Sequence, residues 1–302
     1  MTSSALNNSE KKEWLLDVAA IRIILILLLV MYHALCPFTG NWSQPYSGFH
    51  NITAYKWIGI LTHQGQLEGM TFISGLLLGF SLYRRNNTFN LGKSIFKKAK
   101  RILLPCFFFG IIYYLCFYDI SANLTSIVYK ILNGCGHLWF LPMIFWCFVI
   151  TYILAYYTPH KIIFFYIVLA ASCMFVILNP LQFLPFGLGN VGNYYIYFLI
   201  GFGLKQNIIS FPKYTLRCQF IAILVFCAAF IAYMLLREWD SQDTLIMNII
   251  RSVSFNICTL LTSLSAIYTF YSVSNRKRVI NWLKSKPMLI TLSGYCYGVY
   301  IY

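Results

Sequence analysis

Apolar residues run through this chain in long unbroken stretches that begin at Val18 and recur to the C-terminus, each bounded by a short polar or basic segment. A hydrocarbon core takes about 20 apolar residues in a helix. Barrel strands are excluded, because they alternate polarity over about ten residues, and only a helix satisfies its own backbone groups in lipid. The pattern predicts spans over 17–36, 60–83, 102–118, 137–157, 162–179, 187–204, 218–236, 247–272 and a last run from 288. The chain therefore reads as an all-α, polytopic integral membrane helical bundle, one domain over residues 1–302. Its last run reaches Tyr302 after about 15 residues, short for a crossing, and reads as a helix cut off before its end.

Composition removes the soluble alternative: 59% of residues are hydrophobic and only 10% are charged, so lipid is the main solvent. A net charge of +15 suggests nucleic acid until the basic residues are sorted by loop. With the N-terminus in the cytoplasm, 18 of the 23 fall in inner segments, and only Lys56, Lys130 and Arg237 fall outside. That asymmetry is a topology signal. It sets the orientation and makes anionic lipid headgroups, not nucleic acid, the contacts of the basic excess. The first run is kept as a span rather than a cleaved signal, since Arg22 interrupts it and no small-x-small site follows.

Ten cysteines lie scattered without ligand spacing, which leaves no zinc or redox motif. Cys36 and Cys135, both on the outer side, are placed to pair in an oxidising compartment. Sequons at Asn41, Asn51 and Asn123 also fall on outer loops.

Ionisable groups inside spans are costly and mark candidate sites. Arg22 and His33 stand eleven residues apart in the first span. That is about 1100° of helix, within roughly 20° of three turns, and a rise of about 16 Å, so the two share a face. Arg22 is either a snorkelling anchor or a functional cation, and His33 either a helix–helix hydrogen-bonding group or a functional base. The second span opens with His63, Gln64, Gln66 and Glu68, too polar for lipid. His63 and Gln64 suit an interface, whereas Glu68 is a partner for His33 or Arg22. Lys97, Lys98, Lys100 and Arg101 abut the third span as a stop-transfer cluster or as a mouth for phosphate. His137 and Trp139 open the fourth, as interfacial residues do. Arg251, in the eighth, has Asp240 and Asp243 as expected partners.

Arg22 and His33 separated by ten residues, Phe72-x-Ser74-Gly75, Lys98-x-x-Arg101 and His137-Leu138-Trp139-Phe140-Leu141 occur in an order that resembles the bacterial membrane acyltransferase family 3. Ser293 to Tyr302, with Gly298-Val299-Tyr300, is similar to its closing helix. The resemblance implies a bundle of about ten helices in the cell's inner membrane. It also implies transfer of an acyl group, acetyl foremost, from acyl-CoA to a sugar hydroxyl of a cell-surface polysaccharide or glycolipid. His33 is then the base or the covalent acyl carrier, with Glu68 or His137 orienting it. Arg22, Lys98, Arg101, Ser74, His137 and Trp139 are then the donor-binding set. Acyl-CoA enters as a substrate, and no bound cofactor or metal is implied. The chain departs from the family in carrying Lys98 where an arginine is usual and Glu68 where many members are uncharged. Two other readings are a proton-coupled transporter or flippase of a glycan-related substrate, for which the sequence shows no paired halves, and an inactive truncated relative. Trp42, Tyr46, Phe49 and His50 form either a sugar-stacking loop or an interfacial belt.

Overall fold

A chain solvated by lipid has to bond its backbone to itself, and the computed structural model is all-helical in class, with no strand among its described residues. The structure describes residues 3–40, 50, 52–118, 123–158, 162–178, 180, 184–212, 215–239 and 245–295. Trp42, Tyr46, Phe49, the sequons Asn41 and Asn51, Asp240, Asp243 and the closing stretch with Gly298, Val299 and Tyr300 lie outside them. Five described helical segments are long and apolar enough to cross a membrane: Leu16–Thr39, Leu91–Phe117, Gly136–Tyr157, Leu216–Glu238 and Ile246–Ser274. Ile162–Leu178 is apolar but shorter.

As far as the described residues reach, the expected runs are helical, with two differences. The run over 60–83 is two helices, α2 (Thr53–His63) and α3 (Gln66–Tyr83), separated at Gln64 and Gly65. Gly65 has a φ of +77°, a conformation in which side chains other than glycine are strained. Hydrophobic periodicity does not register one such residue. The third run starts well before residue 102, in α4 (Leu91–Phe117). Asn90 caps it, its side chain accepting from the Lys93 amide at 2.9 Å. Lys93, Lys97, Lys100 and Arg101, which read as loop charges, lie exposed on this helical extension.

The chain forms two compact units. The first comprises residues 1–70 and 211–302. It contains α1 (Ser3–Thr39), α2, the first turn of α3, α9 (Leu216–Glu238), α10 (Leu245–Ser274), α11 (Lys277–Lys284) and α12 (Pro287–Gly294). Leu16, Ala19 and Ala20 of α1 form a core with Leu283 of α11, flanked by Leu289 and Ile290 of α12. Ile60 of α2 packs with Phe230, Tyr233 and Met234 of α9, flanked by Phe255 and Cys258 of α10. Cys36 and Cys135 are each a free, buried thiol.

The second unit, residues 71–210, holds the rest of α3, α4, α5 (Leu124–Asn133), a tight turn of helix at Gly136–Trp139, α6 (Phe140–Tyr157), α7 (Ile162–Leu178) and α8 (Leu188–Lys205). Its centre is the crossing of α3 and α8. A methyl at Gly75 would overlap the Phe198 carbonyl oxygen, and one at Gly201 would overlap that of Phe72. Small residues let helix backbones approach in this way. The glycine of the Phe-x-Ser-Gly motif is thus a packing residue. Gly75→Ala and Gly201→Ala are each expected to cost about 1–3 kcal/mol by overpacking, read as a lower unfolding midpoint in detergent. Gly92→Ala meets only an ordinary contact and should be neutral or stabilising by up to about 1 kcal/mol.

Candidate active site

α1 is unbroken from Ser3 to Thr39, so Arg22 and His33 do sit on one helix face, about 16 Å apart along the axis. Both side chains are half-buried. Along this helix lie the two halves of the broken one. A methyl at Gly59 would meet Thr39 and Leu35, the His63 ring packs edge-on to Tyr32 with centroids 4.4 Å apart, and a methyl at Gly69 would meet Leu25. The chain direction of α2 and early α3 is therefore opposite to that of α1. The break at Gly65 falls level with residues 25–32 of α1, between the heights of Arg22 and His33. His33 neighbours the Tyr32 ring at 5.5 Å and is close enough to His63 for the two charges to interact.

The break is held by α10. A methyl at Gly65 would lie 2.7 Å from the Ala266 Cβ and 3.8 Å from the Ser263 backbone. Gln64 is buried, and its side-chain oxygen accepts from the Thr262 hydroxyl at 3.1 Å. Glu68 is buried one turn into α3, with its carboxyl beside the Ser263 hydroxyl. Neither Glu68 Oε2 nor Ser263 Oγ completes a hydrogen bond, and the buried Gln66 Oε1 is likewise without a partner. Buried oxygens in this condition cost stability, and a donor arriving with a substrate would relieve that cost. The first unit thus holds Arg22 and His33 about 16 Å apart along α1, with Gln64, Gln66, Glu68, Thr262 and Ser263 at the break between their heights and Tyr32 and His63 near His33.

The other candidate residues are in the second unit. The Lys98 ammonium lies 3.5 Å from the centre of the Phe148 ring, a cation–π contact that holds it against α6. Arg101 is exposed. His137 packs edge-on to Tyr113 with centroids 5.6 Å apart, Trp139 lies 5.7 Å from Tyr194, and Ser74 is half-buried beside the packing residue Gly75. Among the described residues, no group of three or more His, Cys, Asp or Glu could hold a metal ion.

Comparison with family models places the acyltransferase domain of acyltransferase family 3 over residues 15–302. The chain belongs to this family. It is accordingly an acyltransferase, and the match includes every candidate residue named above. No curated protein and no solved structure matches the chain.

Within this acyltransferase, sequence reasoning had singled out Arg22, His33 and Glu68 but missed the α10 hydroxyls. The signal was present as the run Thr262-Ser263-x-Ser265 inside an apolar span, all three buried. The Arg251 Nε donates to the Leu236 carbonyl at 3.0 Å, and its expected partners Asp240 and Asp243 lie outside the described residues. Thr262→Val keeps the shape of the side chain but strands the Gln64 oxygen. It should lower stability by about 1–3 kcal/mol, measured by thermal unfolding, whereas Thr262→Ser should stay near wild type.

Proposed function

We propose that this acyltransferase transfers an acyl group, acetyl foremost, from acyl-CoA to a sugar hydroxyl of a cell-surface polysaccharide or glycolipid. It does so as a bundle of about nine to ten spans in the inner membrane, with the N-terminus cytoplasmic. The observation that carries this reading is the placement of Arg22 and His33 on one face of an unbroken helix, with the polar break of α2 and α3 level with the stretch between them. Charge asymmetry along the sequence orients that helix with Arg22 toward the cytoplasm, where acyl-CoA resides, and His33 toward the outside.

In the proposed reaction the His33 imidazole takes the proton of the acceptor hydroxyl. The freed oxygen bonds to the thioester carbonyl carbon, the carbon–sulfur bond breaks, and CoA leaves as a thiolate that takes up the proton. A variant path, in which His33 first carries the acyl group itself, gives the same products. Glu68, about 10 Å from His33 along α1 by the register of the two helices, is assigned an indirect positioning of His33 through the polar groups that lie between them. Arg22 is assigned to the donor's phosphates. Lys98, Arg101, Ser74, His137 and Trp139 are assigned to donor binding on the family resemblance alone. The departures from the family, Lys98 and Glu68, remain compatible with these roles, although lysine offers charge without a bidentate fork.

Membranes holding the protein, incubated with radiolabelled acetyl-CoA and a glycan extract, should incorporate label. His33→Ala should lower the initial rate at least about 100-fold; equal incorporation by both proteins overturns the assignment. Lys98→Ala should raise KM for acetyl-CoA about tenfold with kcat little changed, as loss of a phosphate contact made in ground and transition states alike requires.

A further inference from the structure

After Asp243 the sequence holds no Asp or Glu, yet Arg276, Lys277, Arg278, Lys284 and Lys286 fall within eleven residues of one another. They form and flank α11, whose eight residues are Lys277–Lys284. Wound at the helix period, Val279, Ile280 and Leu283 make one stripe, and Lys277, Arg278, Asn281, Trp282 and Lys284 make the other.

The two stripes meet different surroundings. Val279, Ile280 and Leu283 pack against Leu16, Ala19, Ala20 and Ile23 of α1, the stretch that carries Arg22. The opposite stripe faces away from the protein: Lys277, Arg278, Asn281 and Lys284 are exposed, and Trp282 is 55% exposed. Arg276, just ahead of the helix, donates to the Gln219 side chain of α9. The side chains of Lys277, Arg278 and Lys286 make no hydrogen bond or ion pair among the described residues. Asp17, beside the Leu16 contact on α1, is buried and does not cover this face.

The neighbours of α11 in sequence place that face. The segment Ile246–Ser274 of α10 is long and apolar enough to cross a membrane, so the cations begin two residues past the end of a crossing. Beyond Lys286 comes the apolar α12, with Met288 and Leu292 exposed, as suits lipid. A helix tied at both ends to hydrocarbon-facing segments, with its apolar stripe on α1, lies along the membrane surface. Charge asymmetry assigns that surface to the cytoplasm. A basic face edged by an exposed indole is the composition of helices that rest among lipid headgroups, whereas docking of an acidic protein calls for no exposed indole at the membrane boundary.

We propose that α11 is a headgroup-binding helix: Lys277, Arg278 and the adjoining Lys286 hold the phosphates of anionic phospholipids at the cytoplasmic surface, with Trp282 at the same depth. Lipid charge is thereby brought against the helix that backs α1 at the level of Arg22. The surface is separate from the chemistry proposed for His33, and its test reads lipid contact rather than turnover.

The full chain, with the exposed Asn281 replaced by the photo-crosslinking residue benzoylphenylalanine, is placed in nanodiscs of equal parts phosphatidylglycerol and phosphatidylcholine, irradiated, and its adducts are identified by mass spectrometry. Phosphatidylglycerol adducts should exceed phosphatidylcholine adducts at least about fivefold, the effect of a single cation near an anionic surface. Exchanging Lys277, Arg278 and Lys286 together for Gln should bring the ratio near one, with an unchanged unfolding midpoint, since all three side chains are exposed. If that triple variant unfolds early, Arg278→Gln alone decides, with an expected fall of at least about twofold; Arg278→Lys should keep the ratio. Equal adducts with both lipids in wild type, an unchanged ratio in the folded Gln variants, or adducts chiefly to the chain's own N-terminal stretch with Glu10 and Glu13 each overturns the proposal. Loss of the phosphatidylglycerol excess on adding surplus acetyl-CoA also overturns it, by making a soluble nucleotide's phosphates the occupant. An excess that survives acetyl-CoA and disappears with the three cations supports it, and does so whether or not the protein transfers an acyl group.

Discussion

A helix interrupted in apolar surroundings exposes backbone and polar side chains to a medium that cannot bond them, and the geometry of this protein's candidate site follows from how one such interruption is bonded. Gly65 makes it, with a backbone conformation that strains other residues and a backbone pressed against Ala266. Thr262 and Ser263 of α10 supply hydroxyls where α2 ends and α3 begins, one bonded to Gln64 and one beside Glu68. Without α10 the break would not be tolerated, and without the break His63 and Glu68 would belong to one continuous helix. The backbone turn lets His63 pack on α1 while Glu68 meets α10.

Function enters through what the break leaves incomplete. Buried oxygens such as Gln66 Oε1, Glu68 Oε2 and Ser263 Oγ each cost about 1–3 kcal/mol while unsatisfied, a cost that donor groups of a bound substrate would relieve. On the proposed reading, in which donor and acceptor meet from two sides of a membrane, polar groups are needed along a path, and Arg22, the break and His33 supply them along α1.

The legible part of this arrangement was the part governed by helix period. A step of eleven residues from Arg22 to His33 specifies a shared face whenever the helix is unbroken, and α1 is. The polar opening of the second span was legible as something unfit for lipid, and Gln64 and Glu68 are indeed buried within protein. The break itself was not legible, because a lone glycine among polar and apolar residues carries no periodic signature. Nor were the α10 hydroxyls: Thr262, Ser265 and Thr269 also lie within bonding distance of carbonyls in their own helix, so in sequence such residues read as inert. Lys98 read as a phosphate ligand or a topological charge, and the Phe148 ring beneath it depends on a helix pairing no local pattern reveals. Gly75 read as part of a motif, and its contact with Phe198 lies on a distant segment of chain.

The central claim is that His33 and Glu68 act as one unit in acyl transfer. Its most direct test is a double-mutant cycle on the initial rate of label transfer from acetyl-CoA, comparing wild type, His33→Gln, Glu68→Gln and the double variant at equal folded protein. Residues that act together lose their effects non-additively, so Glu68→Gln should slow wild type at least about tenfold yet slow His33→Gln by less than about twofold. A double variant whose loss equals the product of the two single losses, or a Glu68→Gln enzyme that transfers at the wild-type rate, would contradict the account.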